Sequence, residues 1–264
     1  LVGSEMCIRD SAILEVRDLC KTYIVNKRQN NVLKNINLTI NSGEMVAVMG
    51  PSGSGKSTLL YTVSGMDEPS AGQVIFDGKE LSGLNAKDLA KIRLDDMGFI
   101  FQQMYMLRNL SIGDNILLPA FQSKIPGRSR KDKVRRGQKL MRRLGIIEIA
   151  ENDVNEVSGG QLQRVCICRS MINSPKMLFA DEPTGALNRA SSDGVISELA
   201  GLNRDGTTIL LVTHDVKVAS SCSRVLYLVD GSISGQYNLD QEKPGADSRE
   251  RERALSSWLM DMGW

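Results

Sequence analysis

One short stretch of the sequence constrains this chain more than any other. GPSGSGKST, from Gly50 to Thr58, satisfies the pattern G-x-x-x-x-G-K-[ST], and it lies between an apolar run, EMVAVM, and a helix-like run, LLYTVSGM. Glycines let such a loop curl so that several backbone N–H groups face one anion, and the helix that follows adds its positive dipole end. A buried strand, a glycine-rich loop and a helix in this order predict a phosphate-binding loop in an α/β fold.

The polar groups of this loop have distinct expected tasks. Lys56 puts a positive charge at the β- and γ-phosphates of a nucleoside triphosphate, and the Ser57 hydroxyl can be a ligand of Mg²⁺. A flexible loop that matches the pattern by accident would lack the flanking strand and helix. We therefore expect nucleotide to contact the whole loop: Gly50, Pro51, Ser52, Gly53, Ser54, Gly55, Lys56, Ser57 and Thr58.

Two adjacent acidic residues supply the second element that a phosphate-loop protein needs. Asp181 and Glu182 follow the apolar run MLFA, which is typical of a strand buried on both faces of a parallel sheet. At the end of that strand the Asp181 carboxylate can reach the Mg²⁺ shell, and Glu182 can polarise an attacking water as general base. Adjacent acids also occur in solvated turns, but the phosphate loop upstream favours the catalytic interpretation.

A third element joins one serine, two glycines and a helix start. It reads VSGGQLQR, from Val157 to Arg164, and Ser158 is a candidate N-cap. Its hydroxyl and the N–H groups of Gly159 and Gly160 would form a second anion-binding nest. One chain with one phosphate loop should not need two such nests. The economical explanation is a dimer in which each nest closes over the γ-phosphate bound to the other subunit.

The remaining pattern predicts an α/β sandwich with a mainly parallel sheet. Residues 12–23 alternate apolar and polar side chains as a half-buried strand does, and a polar loop at Asn30 and Asn31 precedes a second strand, VLKNINLTI. Asp77-Gly78 is a hairpin-turn pair. Residues 86–144 are mostly helical in pattern, and strands alternate with helices after Gly160.

The two ends of the chain need separate interpretation. Residues 1–11, LVGSEMCIRDS, show no periodicity and no signal-peptide core, and we interpret them as a non-native leader. Residues 241–253 are polar and charged, which predicts a linker. A short amphipathic helix is expected to follow it and to dock on its own domain or on a partner, with these residues on one face: Ala254, Leu255, Trp258, Leu259 and Met262.

Composition limits the partners of this chain. The net charge of +2 gives no argument for nucleic acid as a partner. No run approaches the roughly 18 apolar residues that a membrane span requires, so any membrane function needs another chain to cross the bilayer. The strongly basic segment 124–143 is typical of a solvated helix face, and lipid headgroups are the alternative contact.

Cysteine usage favours free thiols in a reducing compartment. The five cysteines form an odd number and show no framework spacing. Cys166 and Cys168 form a C-x-C pair that could suggest a metal site. No second pair of ligands exists in the sequence, however, so small buried helix residues are the favoured interpretation.

The phosphate loop, the SGGQ signature, LFADEP and a following histidine, in this order and spacing, resemble the ATP-binding cassette of ABC transporters. The resemblance covers about residues 13–236. It implies a P-loop NTPase fold with a mainly parallel core sheet, an antiparallel β subdomain and an inserted helical subdomain at about 104–160. The ATP-binding domain would then comprise residues 12–240, with the charged linker and helix at 241–264.

The resemblance also implies roles for individual residues. Tyr23 matches the aromatic residue that stacks on adenine, and Gln102 matches the glutamine that touches Mg²⁺ and senses the transmembrane partner. His214, the only histidine, matches the switch residue near the γ-phosphate. The implied catalytic set is Glu182, His214 and Lys56, the implied metal ligands are Ser57, Gln102 and Asp181, and the signature acting in trans is Ser158, Gly159, Gly160 and Gln161.

This sequence departs from the family pattern at two positions. Val157 stands where the signature usually begins with leucine, which is a mild change. The loop after LFADEP usually ends in Ala-Leu-Asp, whereas here it ends in Ala186-Leu187-Asn188. The loss of that carboxylate puts in doubt how tightly two nucleotide sites communicate, but it leaves the hydrolytic glutamate in place.

The implied function is that of an ATP-hydrolysing subunit with Mg²⁺ as cofactor. Two copies would sandwich two Mg·ATP head to tail and drive a separate integral membrane permease. The chain would lie at the cytoplasmic face of a bacterial plasma membrane, touch the membrane only through that permease and bind no nucleic acid. FIFQQMYML, EPTGALN and the WLMDMGW tail are similar to the group for lipoprotein release, macrolide export and peptide-antibiotic resistance, which implies a lipophilic or peptide cargo such as an antimicrobial peptide.

Two other classes of function compete with this one. An ABC ATPase that acts on DNA or ribosomes would carry coiled-coil insertions, zinc modules or a second cassette, and none of these is present in the sequence. A sensor or structural partner with a dead site would have lost catalytic residues. Lys56, Asp181, Glu182 and His214 are all present, which argues against it.

Overall fold

The computed structural model describes residues 12–125, 129–242 and 245–264, so the interpretation of residues 1–11 lies outside the described residues. Within these ranges the strands are, in chain order, β1 (Ala12–Val25), β2 (Arg28–Asn41), β3 (Met45–Met49), β4 (Ala71–Phe76), β5 (Lys79–Glu80), β6 (Met97–Ile100), β7 (Met177–Asp181), β8 (Thr208–Val212), β9 (Arg224–Val229) and β10 (Ser232–Asn238).

The helices of the same ranges are α1 (Lys56–Val63), α2 (Ala86–Asp95), α3 (Ile112–Gln122), α4 (Arg130–Arg143), α5 (Gly159–Met171), α6 (Arg189–Arg204), α7 (Val216–Ser220), α8 (Leu239–Glu242) and α9 (Ser248–Asp261). Short 3₁₀ turns at Ile147–Ile149 and Val154–Glu156 connect α4 to α5.

A six-stranded sheet forms the centre of the fold, in the order β10-β9-β3-β8-β7-β6. Neighbouring strands from β9 to β6 in this order are parallel to each other. The edge strand β10 pairs with β9 in the antiparallel direction. Every residue of β3, β7 and β8 is buried, because helices or the second sheet cover both faces. The predicted mainly parallel α/β sheet is confirmed, and the carboxyl ends of β3, β7 and β8 lie at one edge.

A second, antiparallel sheet has the order β2-β1-β4-β5 and packs over α1. The prediction of a loop at Asn30 and Asn31 was wrong, because both residues lie in β2, opposite Tyr23 and Thr22. Pairing with β1 continues to a tight turn at Asn26 and Lys27, where both residues have positive φ. Polar side chains are compatible with these strand positions because they are exposed. The expected Asp77-Gly78 turn joins β4 to β5.

The helices α3 and α4, which lie between β6 and β7 in the chain, begin at capping residues that the sequence indicates. Ser111 caps α3, and Ser129 caps α4 through a reciprocal box with Asp132. The predicted mostly helical segment also contains a strand, because the apolar run MGFI forms β6 and pairs in parallel with β7. α3, α4 and α5 pack on each other and enclose one end of the larger core.

The last helix, α9, docks on its own domain, which is one of the two alternatives expected from the sequence. It begins at Ser248, earlier than the sequence predicts, because the Asp247 carboxylate caps it by accepting from the backbone N–H groups of Arg249 and Glu250. Leu255 and Leu259 are fully buried, and the Arg251 guanidinium donates to the carbonyl oxygens of Ser220 and Cys222 next to α7. The helix therefore packs against α7.

The cysteines of the described ranges do not form the metal site that the C-x-C pair could suggest. The four cysteines in the described ranges are free, and burial raises the pKa of Cys166 to about 11 and of Cys168 to about 12. No cluster of three or more histidine, cysteine, aspartate or glutamate residues suited to a metal occurs in these ranges. Of the helices described, none is long and apolar enough to cross a bilayer.

Candidate functional site

The phosphate loop closes tightly over the end of β3. At Gly50 a Cβ atom would lie 2.0 Å from the carbonyl oxygen of Leu228, so only glycine fits there. Gly55, with φ of 101°, is the N-cap of α1, and no side chain caps its backbone N–H groups. The Ser54 hydroxyl is buried and has no hydrogen-bond partner within the described residues. A helix start without a side-chain cap, in a glycine-rich loop, suits the oxygen atoms of a phosphate chain.

Lys56 bends back over this loop. Its ammonium donates to the carbonyl oxygens of Gly50 at 2.8 Å and Pro51 at 2.9 Å. Burial lowers the pKa of Lys56, and the nearby carboxylates of Glu182 and Asp181 oppose that effect. The cation therefore lies directly at the phosphate loop.

Asp181, at the end of β7, is held by two hydroxyl groups from α1. Ser57 Oγ donates to one carboxylate oxygen at 3.0 Å, and Tyr61 Oη donates to the other at 2.7 Å. Burial, followed by the hydrogen bond to Asp181 and its charge, raises the pKa of Tyr61. Sequence reasoning missed Tyr61, although its position four residues after Ser57 puts both side chains on one face of α1.

Glu182 follows Asp181 in a strained backbone conformation. Its φ is 46°, in the left-handed region that non-glycine residues rarely adopt, and its N–H donates to Val212 O at 3.0 Å. The side chain turns toward the end of β8, where Glu182 Oε1 and His214 Nδ1 are 2.8 Å apart. Glu182 is 14% exposed and His214 69% exposed, so a carboxylate in a cleft lies beside an imidazole on its rim.

These groups share one cleft. A cavity of 350 Å³ is lined by Gln102, Glu182 and His214 and by six residues of the phosphate loop, which are Ser52, Gly53, Gly55, Lys56, Ser57 and Thr58. The ends of strands that are far apart in sequence thus bring the expected phosphate loop, Gln102, Glu182 and His214 together. Asp181 is connected to this group by its hydrogen bond from Ser57.

Tyr23 lies beside this cleft, at the end of β1. Its hydroxyl donates to Asp67 and is also close enough to Thr58 to hydrogen-bond with it. The Lys21 ammonium lies 4.7 Å from the centre of the ring, and more than a third of the residue is exposed. Burial is the main cause that raises the pKa of Tyr23. The predicted adenine-stacking residue is therefore held next to the phosphate loop by Asp67.

The signature corner at the start of α5 lies elsewhere. Ser158 Oγ accepts from the Gln161 N–H at 3.3 Å, and Gln161 Oε1 accepts from the Ser158 N–H at 2.8 Å. A Cβ atom on Gly160 would lie 2.8 Å from Ser191 Oγ, so the corner packs against the start of α6. In the described part of the chain, none of the four signature residues lines a cleft at the phosphate loop; these residues are Ser158, Gly159, Gly160 and Gln161.

A second cleft, of 510 Å³, also opens at the phosphate loop. Gly50, Pro51, Ser52, Lys56, Glu182 and His214 line it, and so do three residues that sequence reasoning did not predict: Tyr227, Gly263 and Trp264. No periodic signal in the sequence indicates that the segment after α9 comes back to the phosphate loop.

Comparison with known sequences agrees with this geometry. Residues 33–185 match the family model for ABC transporters. The chain is 38% identical over 233 residues to the ABC transporter ATP-binding protein YknY of Bacillus subtilis, which covers 87% of this chain and 100% of that protein. It is 41% identical over 232 residues to the bacitracin export ATP-binding protein BceA of Halalkalibacterium halodurans, with 88% and 90% covered.

A larger relative and two solved structures extend the comparison. The macrolide export ATP-binding/permease protein MacB of Pasteurella multocida is 37% identical over 245 residues, which are 93% of this chain but 37% of MacB. A dimeric bacterial ABC transporter cassette superposes with a TM-score of 0.80 at 36% identity, covering 85% of this chain and 98% of that one. The same cassette in a post-hydrolysis state with ADP and Pi gives a TM-score of 0.79.

The chain therefore belongs to the ABC transporter family. It is an ATP-binding and ATP-hydrolysing cassette, and the expected resemblance to the lipoprotein-release, macrolide-export and peptide-antibiotic group is confirmed by its relatives. The alternative of an ATPase that acts on DNA or ribosomes finds no support among them.

Proposed function

We propose that this cassette works as one half of a two-site ATPase, in which two copies sandwich two Mg·ATP head to tail. The observation that carries the proposal is the position of the signature corner, which is fully formed but lines neither cleft of its own phosphate loop. A second copy can bring its corner to that loop. The dimeric structure of a similar bacterial cassette supports this arrangement.

The residues at the Asp181 end of the cleft fit a magnesium ion. Asp181 and Ser57 offer oxygen donors 3.0 Å apart, and the Gln102 side chain lines the same cleft. Oxygen ligands from a carboxylate, together with phosphate oxygens and water, are what Mg²⁺ prefers. When bound, Mg²⁺ would be held by Asp181, Ser57 and Gln102 and would neutralise part of the charge of the phosphates.

Each remaining residue then has a role in hydrolysis. Glu182 orients and polarises the attacking water, and His214 holds that carboxylate through the 2.8 Å contact between Nδ1 and Oε1. Lys56 and the N–H groups of the phosphate loop bind the phosphates and stabilise the charge that spreads over the γ-phosphoryl group. Ser158 of the second copy would add a hydroxyl donor, while Tyr23 offers its ring to the adenine.

A surface next to Gln102 suits a permease partner. A groove of 330 Å³ runs between α2, β6, α3 and α5, and Phe99, Phe101 and Tyr105 are among its lining residues. Tyr105 is well exposed, and Arg169 binds the carbonyl oxygens of Met104 and Tyr105, which holds the segment after Gln102 in place. An aromatic groove of this kind suits a short helix of a membrane subunit, which would keep the cassette at the cytoplasmic face of the membrane.

The cargo class follows from the relatives alone. BceA is named for bacitracin export and MacB for macrolide export, so we propose a lipophilic or peptide cargo such as an antimicrobial peptide. The permease would select that cargo.

Substitution of the general base tests the central proposal. With Glu182→Gln we expect ATP turnover to fall by roughly 100-fold or more, because the water loses its base. The variant should elute as a dimer with Mg·ATP and as a monomer without it, because unhydrolysed nucleotide keeps two copies together. Glu80→Gln, an exposed change on β5, is the matched control. Unchanged turnover in Glu182→Gln would refute the role of the base, and a monomer with ATP would refute the sandwich.

A further inference from the structure

The second cleft at the phosphate loop has one wall that the proposed reaction does not use. Trp264 and Tyr227 form this part of the lining, which the cleft shares with Pro51, Ser52, Lys56, Glu182 and His214. Tyr227 is buried, whereas Trp264 is 44% exposed. A large aromatic side chain thus stays partly open to solvent within the cleft that holds the catalytic groups.

The backbone fixes the direction of this side chain. Gly263, with φ of 87°, follows the last turn of α9, and its N–H donates to Met260 O at 3.0 Å. The N–H of Trp264 donates to Leu259 O at 2.9 Å, which completes a Schellman motif. The Trp264 ring also lies 6.0 Å from the Tyr227 ring, centre to centre. Trp264 is therefore held by a defined helix end rather than by a loose segment.

The helix that carries Trp264 is itself attached to the catalytic region. Leu255 and Leu259 of α9 are fully buried, and Arg251 binds carbonyl oxygens at the end of α7. α7 begins at Val216, immediately after His214 and its capping residue Asp215. The position of Trp264 is thus fixed relative to both the phosphate loop and the histidine.

We infer that Trp264 is part of the surface that a second copy covers when the ATP sandwich closes. This inference rests on the proposed function. A partner corner that reaches the γ-phosphate must come close to Lys56, Glu182 and His214, and these residues share one cleft with Trp264. The surface is continuous with the proposed interface, and tryptophan is a residue type enriched at the energetic centre of protein interfaces.

Fluorescence tests this inference without altering Trp264. The chain has two tryptophans, so Trp258→Phe leaves Trp264 as the single reporter. In the Glu182→Gln background with Mg·ATP, we expect acrylamide quenching of Trp264 to fall roughly threefold, because an interface excludes water. The fall should follow the protein-concentration dependence of dimerisation. Protection that follows nucleotide saturation in the monomer would overturn the inference, because the contact would then be made within one chain.

A pair of substitutions on α9 provides the second test. Trp264→Ala should weaken the ATP-dependent dimer of the Glu182→Gln protein at least tenfold, about 1.4 kcal/mol. Met260→Ala removes a 73% exposed apolar side chain from the same helix and should change dimerisation less than about twofold. At protein concentrations too low for dimerisation, both variants should bind ATP with the same affinity as the parent.

The outcomes separate this inference from the proposed function. A dimer that forms equally well with Trp264→Ala, or in which Trp264 stays as accessible as before, overturns the inference and leaves the sandwich intact. Absence of any ATP-dependent dimer in the parent Glu182→Gln protein overturns both.

Discussion

The helices α1 and α5 both begin at glycine-containing corners, yet the two corners differ in what serves their backbone N–H groups. At α1 the N-cap is Gly55, no side chain caps the helix, and the Lys56 ammonium lies over the loop. At α5 the N-cap is Ser158, which forms a reciprocal box with Gln161. The backbone N–H groups at the start of α1 have no side-chain cap and are suited to bind a phosphate. The start of α5 is already capped by its own side chains.

The difference agrees with our proposal that one corner binds nucleotide and the other completes the site of a second copy. Ser158 Oγ already accepts the Gln161 N–H, but a hydroxyl can accept and donate at once, so its proton stays available to a phosphate oxygen. The corner packs against the start of α6 rather than against its own phosphate loop. Substitutions at the two corners should therefore separate nucleotide binding from turnover.

The largest effect is expected at the α1 corner. Lys56→Ala removes the cation that binds the phosphates, and losing one partner of such a charged contact costs about 2–5 kcal/mol. We expect the dissociation constant for ATP, measured by titration calorimetry on the monomer, to rise roughly 100-fold or more. Lys87→Ala, an exposed change on α2, is the control. Wild-type affinity in Lys56→Ala would remove the distinction between the corners.

The α5 corner should behave in the opposite way. Ser158→Ala is expected to lower ATP turnover roughly 100-fold, as loss of one preorganised donor does. Affinity of the monomer for ATP should stay within about twofold, because Ser158 lies outside its own clefts.

A matched control separates catalysis from helix stability. Ser129 caps α4 through the same kind of reciprocal box, so Ser129→Ala loses an equivalent cap. Both variants should lose about 1 kcal/mol of unfolding free energy in urea titrations. Only Ser158→Ala should lose turnover, and an equal loss of turnover in Ser129→Ala would mean that capping alone explains the effect.

Tyr61 offers a sharper probe of the α1 side. Tyr61→Phe keeps the ring but removes the hydroxyl that donates to Asp181 at 2.7 Å. Loss of a hydrogen bond to this proposed metal ligand should lower the affinity for Mg²⁺ in the ATP complex roughly tenfold. Binding of ATP measured with a chelator should not change. An equal loss with and without Mg²⁺ would show that Tyr61 supports the loop rather than Asp181.

Most of the residues that share the candidate site could be predicted because their sequence signals are local. A glycine-rich loop after a buried strand, and acidic residues at the end of another, each depend on a few adjacent residues and on the edge of a parallel sheet. His214 follows the same rule, since it lies two residues after the end of β8. These signals need no knowledge of which helix packs on which.

The parts that could not be predicted depend on contacts between distant segments. Asn30 and Asn31 read as a polar loop, yet cross-strand pairing with β1 makes them strand residues. The short run MGFI becomes β6 because β7 pairs with it. Trp264 reaches the phosphate loop only because α9 docks on α7. In each case tertiary contacts decide a position where local propensity is weak.

The smallest expected effect concerns Asn188, which stands where the family usually has aspartate. Asn188 Oδ1 accepts the Ser191 N–H at 2.9 Å and so caps α6, next to the α5 corner. Asparagine and aspartate cap almost equally well, so Asn188→Asp should change the free energy of unfolding by less than about 0.5 kcal/mol, whereas Asn188→Ala should lower it by about 1 kcal/mol. Urea titrations measure both values. If Asn188→Asp instead altered the cooperativity of ATP hydrolysis at unchanged stability, the carboxylate would matter for communication between the two corners, and capping would not be the whole role of this position.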